Sequence, residues 1–506
     1  MDLLSILFAL ASVVWVIHLI RVGSLALAAL ATLIVGTVFG PAFFAIDGPF
    51  QISADRVLWA LVIGMAVVHW RLGWFRFQGL TRGDWVLLFL AAWLAISTQR
   101  GGPLPDQSSP VARWLFYFAL PVGMYWIGRA VTLQSGELRR VFGGLVALSV
   151  YLSLVGWCEM RGWHGLVFPR YIVDPQIWEF YGRARGPLLN PAGNGIVMTI
   201  GLGAAVLLWR EAGRVGKLLN AVAAVVITAG MVATLTRGVW LGGLVALAVL
   251  AYWHVPRWVR VAGLVGVLLI TAGAALGLKD QLLRFKRDKH LSAAEAEKSL
   301  QLRPLLAIVA WEMFQDRPLA GVGYGRYFAH SQPYHNLPRY GASLQPARDY
   351  MQHNVLLSIL VDAGLIGVVP LVVLWMYWMA CGWRLASRAG PGDGRPLDPE
   401  QSSVHRNLGL LLLVALCGYL VNGTFQDVSI IPMVHMYLFF LAGLAVGHCH
   451  RLPQDRLSQD AASRWRFALP SGPVGCRRRA TALPDPAAAT TRGRSMDPGF
   501  QSVRRP

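Results

Sequence analysis

VLLSILVDAGLIGVVPLVVLWMYWM, residues Val355–Met379, carries one charged side chain, Asp362. A bilayer core about 30 Å thick is crossed by roughly 20 apolar residues in helical form. The stretch therefore predicts a membrane-spanning helix. Similar runs extend outward from it in both directions, near 3–20, 25–46, 57–70, 84–98, 113–128, 141–158, 195–209, 218–235, 239–253, 261–278, 355–381, 408–424 and 433–448. The chain of 506 residues is 55% hydrophobic and 14% charged, where a soluble domain averages about 25% charged residues. The expected fold is an all-α, polytopic transmembrane bundle of about 12–13 helices. Its parts are ten helices over 1–278, a large external loop over 279–354, the C-terminal helices over 355–448, and a disordered basic cytoplasmic tail over 449–506.

Met1–Ile20 lacks a basic leading region and a clean small-residue cleavage site, so it is read as a retained first helix. Cys158, Cys381, Cys417 and Cys449 lie in or beside apolar segments and Cys476 lies in the tail, without metal-ligand spacing or a disulfide framework. The net charge of +20 concentrates in loops and tail. It sets topology and does not indicate nucleic-acid binding. The tail from His450 holds eleven Arg against four Asp and few large apolar residues after Phe467, the composition of a disordered segment that contacts anionic lipid.

Short cytoplasmic loops carry excess Lys and Arg. Here these are the loops bearing Arg71/Arg76/Arg82, Arg129/Arg139/Arg140, Arg210/Arg214/Lys217, Arg257/Arg260 and Arg384/Arg388/Arg395/Arg406. The alternate set, 47–56, 99–112, 159–194, the turn near Arg237, 279–354 and 425–432, is expected on the outer side. Lys279–Lys289 is basic on that side, but the rule weakens in long loops. The large loop opens with a charged amphipathic stretch, Gln281–Lys298. A helix is expected over Ser299–Gln315, where Leu302, Leu305, Leu306, Val309 and Met313 recur at helical spacing and Pro304 suits a first turn. From Pro318 the loop reads as irregular and aromatic as far as His353.

Charged groups near membrane segments are costly and mark candidate sites. Arg237, in Thr234-Leu-Thr-Arg-Gly-Val-Trp, either snorkels to the interface or points into an outer cavity. Arg303 opens the expected loop helix, as a solvated charge or as a ligand for an anion. His353-Asn354 precedes Val355, as a structural pair or with the histidine as a base titrating near neutrality. Arg183-Ala-Arg185-Gly-Pro-Leu-Leu-Asn-Pro-Ala-Gly-Asn is a turn-rich segment whose two arginines meet an anion or belong to a plain interfacial loop. Gly321-Val-Gly-Tyr-Gly lacks the flanking strand and spacing of a nucleotide loop. His330, His335 and His353 lack zinc spacing.

Four segments, in order, resemble the O-antigen ligase and polymerase superfamily of bacterial envelope enzymes. Arg185-Gly-Pro-Leu-Leu-Asn-Pro is similar to the family's arginine and glycine followed by Asn-Pro. Leu235-Thr-Arg-Gly-Val-Trp-Leu resembles its Ser-Arg-Gly membrane turn. Arg303 with Asp316-Arg-Pro-Leu-Ala-Gly-Val-Gly-Tyr-Gly resembles its loop signature. Gln352-His-Asn-Val-Leu-Leu-Ser-Ile-Leu-Val-Asp-Ala-Gly-Leu-Ile-Gly resembles its His-Asn motif running into a helix. The resemblance spans about 180–370. The family's turn serine is Thr236 here, the aromatic after the loop arginine is Ala307, and the position after His-Asn, often acidic, is Val355. These departures leave acceptor identity open.

The resemblance implies a metal-independent, inverting membrane glycosyltransferase in the bacterial inner membrane, without cofactor, its site facing the periplasm. The implied donor is a glycan on undecaprenyl pyrophosphate. The acceptor hydroxyl belongs to a lipid A core, a growing glycan or a protein. His353 is the expected base, Arg237, Arg303 and Arg185 the expected diphosphate ligands, and Asn354, Thr236 and Arg183 the supporting residues. Planar guanidinium forks pair with phosphate oxygens. The sequence offers no evident outer pair of carboxylates for a two-carboxylate glycosidase. A polymerase, a protein O-oligosaccharyltransferase and, in another class, an inorganic-carbon-type transporter are the alternatives. A transporter is expected to place polar groups near the midplane, often on interrupted helices, whereas the ionisable groups here cluster at the outer interface.

Overall fold

A computed structural model of the protein describes residues 24–46, 52–74, 79–100, 109–177, 179–263, 266, 293–336, 338–339, 341, 343–388 and 399–451. The span expected near 3–20, most of 261–278, the stretch 279–292 and the tail from 452 lie outside the described residues. The architecture is all-α. In chain order come α1 (Leu25–Val38), a two-stranded antiparallel hairpin of β1 (Ala45–Ile46) and β2 (Ile52–Ser53), α2 (Ala54–Arg71), α3 (Arg82–Thr98), α4 (Pro110–Trp114), α5 (Leu120–Ala130), α6 (Ser135–Arg161), α7 (Pro191–Glu211), α8 (Arg214–Ala233) and α9 (Arg237–His254). The large loop contributes α10 (Ala293–Asp316) and α11 (Tyr327–His335), followed by α12 (Val355–Arg388), α13 (Pro399–Gly423) and α14 (Pro432–Arg451). Among the described residues, six helices are long and apolar enough to cross a membrane: α6, α7, α8, α12, α13 and α14.

Local chemistry sets the helix starts. Thr81 accepts from Asp84 N while Asp84 accepts from Thr81 N, a reciprocal cap for α3. Ser109 and Asn190 cap α4 and α7, each with proline at the first helical position, where a missing N–H costs nothing. Pro121 has no N–H for the carbonyl of Tyr117, and the chain widens into a π turn over Leu115–Ala119. The Tyr117 carbonyl bonds the His435 ring at 2.7 Å, and His435 Nε2 lies 2.7 Å from the Tyr419 hydroxyl.

Turns meet in two groups, one at each end of the bundle. At the end carrying the long loops, Arg326 donates to Thr98 O (2.9 Å), Arg183 to Thr234 O (3.2 Å), Tyr171 to Val38 O (3.3 Å) and Asn354 to Thr424 O (3.2 Å). At the opposite, short-loop end, buried Arg129 pairs with buried Asp84 at 3.0 Å. There also Arg451 donates to Val131 O (2.8 Å) and Asn407 to Glu211 Oε1 (2.5 Å).

The helices α5 and α14 approach closest through small residues, the usual solution where lipid removes the hydrophobic drive for helix association. A Cβ at Gly443 would lie 2.1 Å from Tyr125 O, one at Gly128 2.5 Å from Phe440 O, and one at Gly447 2.7 Å from Arg129 O.

Four expectations need correction. The 25–46 run is helical only to Val38, where the chain turns into the β1–β2 hairpin. Pro304 is not at a first turn: α10 already runs from Ala293, and Pro304 sits inside it, its fixed φ being compatible with helix. Arg303 therefore lies mid-helix. The stretch after Asp316 is not wholly irregular, since it forms α11 and a short turn of helix at Gln345–Ala347. Finally, the run from Val355 is broken at Gly364, whose φ of 63° and ψ of −163° are not helical.

Gly443→Ala is expected to force α5 and α14 apart, because the new methyl meets backbone. A loss of about 1–3 kcal/mol follows. It is read as a lowered melting temperature and a broadened size-exclusion profile in detergent. Gly143→Ala, where nothing lies within 4 Å, is the control and should be neutral or slightly stabilising.

Candidate active site

The start of α12 organises the long-loop end. Asn354 Oδ1 accepts from Leu357 N (3.1 Å), its carbonyl accepts from Ser358 N (2.9 Å), and its amide donates to Thr424 O (3.2 Å). Asn354 thus caps α12 and ties it to the turn after α13. Gln352 on one side of His353 and Val355 on the other are buried, while His353 keeps an exposed edge. Burial by surrounding protein, with the Arg303 guanidinium adding to it, lowers the His353 pKa below the ordinary histidine value.

Packing of α10 explains why Arg303 reaches His353. Leu302 and Leu306 pack on Ala347, and Leu305, Val309 and Met313 join Val361 and Leu357 of α12. That apolar face lies α10 along the first half of α12 and leaves Arg303 half-buried beside its start. Arg237 is the first residue of α9 and is exposed. Its neighbour Gly238 abuts Asn422 and Phe425, with a notional Cβ 3.0 Å from Asn422 Oδ1 and 3.7 Å from the Phe425 ring. Asn354 bonds Thr424 in that same turn. The turn bearing Arg237 and the His353-Asn354 pair, far apart in sequence, therefore meet at residues 422–425.

The turn before Arg237 is held by Arg183. Leu235 has a positive φ of 50°, and buried Arg183 donates to Thr234 O (3.2 Å) and to Thr236 Oγ1 (2.5 Å), with its guanidinium 5.2 Å from the Phe180 ring centroid. Thr236 Oγ1 donates onward to Thr234 O (2.9 Å). Arg185 is not brought to this surface. It is fully buried, paired with Glu159 at 3.1 Å, and donates to the carbonyls of Ile177 (2.5 Å), Glu179 (2.7 Å) and Ile172 (2.6 Å). All three of its nitrogens have protein acceptors. Glu159 also accepts from Gly186 N at 3.0 Å.

The Gly-Val-Gly-Tyr-Gly string is a backbone lock on the break in α12. Val322 N and Gly323 N donate to Val361 O and Asp362 O, both at 2.9 Å. Leu365 N and Ile366 N donate to Pro318 O (2.9 Å) and Leu319 O (3.1 Å), and Trp93 Nε1 donates to Ala363 O (3.0 Å). Chains this close exclude side chains: a Cβ on Gly364 would lie 2.3 Å from Leu319 O, and one on Gly321 2.4 Å from Val361 O. Both residues have φ in the left-handed region, 63° and 64°. The sequence reading missed this lock, and also Arg56, Arg113 and Asp427 near it. The available signal was a cation at the mouth of an apolar run: Arg113 opens the run expected over 113–128.

Residues 196–372 match the model of the family described as O-antigen ligase. No curated protein matches the chain.

Arg185→Ala should cost about 3–5 kcal/mol, since it strands a buried Glu159. It is measured as a fall in thermal stability of detergent-purified protein. The paired change Arg185→Met with Glu159→Gln should recover most of the loss. A fall no larger than that of an exposed arginine would refute the scaffold role.

Proposed function

With residues 196–372 placing the chain in the O-antigen ligase superfamily, we propose that it is a membrane glycosyltransferase of the inner membrane. It moves a glycan from undecaprenyl pyrophosphate to an acceptor hydroxyl, with the long-loop end in the periplasm. The observation that carries this reading is that Arg303 acts electrostatically on His353, while the start of α9, which bears Arg237, packs on the turn that Asn354 bonds. The acceptor belongs to a lipid A core or another envelope glycan.

Arg237 and Arg303 hold the diphosphate, each hydrogen bond to a charged group contributing about 1.5–3 kcal/mol. They stabilise charge as the bond from the anomeric carbon to the diphosphate oxygen breaks. The acceptor oxygen attacks that carbon from the opposite face, its proton passes to the His353 imidazole, and configuration inverts. Asn354 fixes the start of α12 beneath His353. Arg183 and Thr236 fix the turn that presents Arg237. Arg185 is assigned to the scaffold and withdrawn from the donor site, because its nitrogens are taken by protein. A carrier reading draws on interrupted helices whose backbone groups bind ions. The break in α12 offers little for that, since the carbonyls of Val361, Asp362 and Ala363 accept from protein donors.

His353→Ala should lower transfer by about 10²–10⁴ while donor affinity stays near wild type, because no phosphate contact is lost. Arg303→Lys should damage both, because an ammonium lacks the planar fork. Side-by-side donor binding and transfer assays on folded variants decide this; near-normal transfer by His353→Ala removes the histidine from the base role.

The lowered His353 pKa keeps the ring neutral, and able to accept a proton, to below its ordinary titration range. Transfer should therefore fall only as pH drops through that lowered value. Arg303→Gln removes a neighbouring positive charge and should move the acidic limb of the kcat/KM profile upward. An unmoved limb contradicts the pairing.

Because arginines are positioned for the diphosphate, transfer should continue in chelator. Loss of activity in EDTA with recovery on magnesium or manganese would overturn that expectation.

A further inference from the structure

At the short-loop end, where α7 and α9 finish and α13 begins, cations from separate segments converge. Small residues let these helices approach. A Cβ on Gly203 of α7 would lie 2.8 Å from Val414 Cγ1 of α13, and one on Gly242 of α9 would lie 2.9 Å from Asn422 Nδ2 of α13. The packing sets Arg210, His254 and Arg406 within electrostatic reach of one another: both arginines act on His254, and Arg210 acts on Arg406. Arg260, just past α9, joins them. It donates to Tyr252 O (3.0 Å), and Arg406 donates to the adjacent carbonyl, Trp253 O (3.5 Å). Two guanidiniums thus meet the last turn of α9, where the helix dipole favours cations.

Capping uses little of what these side chains offer. A guanidinium carries five N–H donors. Arg260 Nε is buried and has no acceptor, and Arg210 makes no hydrogen bond among the described residues. The acid beside Arg210, Glu211, has Oε1 engaged by Ser403 and by Asn407 (2.5 Å). Like charges held together repel, and donors without acceptors call for an anion. The surroundings give the depth of that anion. The Trp383 ring centroid lies 4.5 Å from that of Trp253 and 5.5 Å from that of Tyr252, and the Arg260 guanidinium lies 4.9 Å from the Tyr252 ring. Tyr252, Trp258 and Trp383 are exposed, as rings at a membrane–water interface are. Further into the bundle α9 exposes Leu241, Leu244 and Leu247 at steps of three residues, an apolar stripe at the level of hydrocarbon.

We propose that Arg210, Arg260 and Arg406 form a site for the headgroup phosphate of an anionic glycerophospholipid, whose acyl chains lie along the apolar stripe of α9. Guanidinium forks match phosphate oxygens, and basic pockets between membrane helices take such headgroups. The phosphate supplies the counter-charge that the cluster lacks, and the rings and leucines beside it suit a lipid better than a free ion. The bound lipid ties the ends of α7, α9 and α13 together. The site lies at the opposite end of the bundle from His353, so the inference does not depend on the transferase reading.

The test uses the full-length chain, delipidated in detergent and titrated with phosphatidylglycerol, with bound lipid read by native mass spectrometry. Phosphatidylcholine, whose headgroup has no net charge, should bind at least about tenfold more weakly. Arg210→Gln with Arg406→Gln should weaken phosphatidylglycerol by about tenfold or more. Arg139→Gln with Arg140→Gln removes the same charge from exposed positions on α6 at the same end and should leave the affinity unchanged. Arg406→Gln takes a cap from α9. If that variant misfolds, exposed Arg210 carries the test alone, and Arg210→Gln should weaken the lipid by about fivefold. Equal affinity for the two lipids, an equal loss in the α6 control, or full affinity in folded Arg210→Gln overturns the site. Glycerol 3-phosphate forms the last arm. It should not displace the lipid at equal concentration; if it does, the guest is a free phosphate and the lipid assignment falls.

Discussion

The backbone of residues 318–323 is hydrogen-bonded into the break of α12 at Gly364, and the long-loop end depends on that contact. A helix interrupted at membrane depth exposes carbonyls and N–H groups that lipid cannot satisfy. Here Val322, Gly323, Pro318 and Leu319 supply the partners. The contact is possible because Gly321 and Gly364 carry no Cβ and adopt left-handed φ values. Two consequences follow from one junction. The loop is fixed to the bundle, so that α10 lies against the first half of α12 and carries Arg303 to His353. The first half of α12 is also freed from the axis of the second, which delivers Asp362 to Gly325 and Arg113.

The arginines divide by what surrounds them, not by how close they stand in sequence. Arg183 and Arg185 are separated by one residue, yet Arg183 braces the turn that presents Arg237 and Arg185 closes a buried pair with Glu159. Arg129 does the same with Asp84 at the opposite end. Each buried guanidinium is matched by an acid or by carbonyls, as desolvation demands. Arg237 is exposed and Arg303 half-buried. Arg237 and Arg303 keep contact with solvent, which Arg185 and Arg129 do not.

Much of the bundle was legible because the bilayer imposes one simple rule on length and polarity. The runs near 57–70, 84–98, 195–209 and 239–253 coincide with α2, α3, α7 and α9 to within four residues at each end, and the run near 141–158 lies inside α6, which starts six residues earlier. The rule failed where local chemistry competes with hydropathy. Apolar residues after Val38 do not continue α1, and an unbroken apolar string from Val355 hides a break that only the glycines betray. Proline was misjudged in the opposite sense: Pro304 sits inside a helix that begins earlier, since only one N–H is lost there.

The sequence by itself determined that the chain is a multi-pass helical bundle and which family's motifs it carries, and it offered His353, Arg303 and Arg237 as candidates. These are properties of composition, spacing and residue type, and they survive without knowledge of any contact. Tertiary structure alone decided which cations are committed to buried acids, that the glycine string locks a broken helix, and that Arg56, Arg113, Asp362 and Asp427 from four separate segments share one neighbourhood. Those facts depend on which helix ends meet. The pairing of ends is set by close helix packing, such as the backbone contacts that glycines allow between α5 and α14, and a one-dimensional pattern of hydropathy does not encode it.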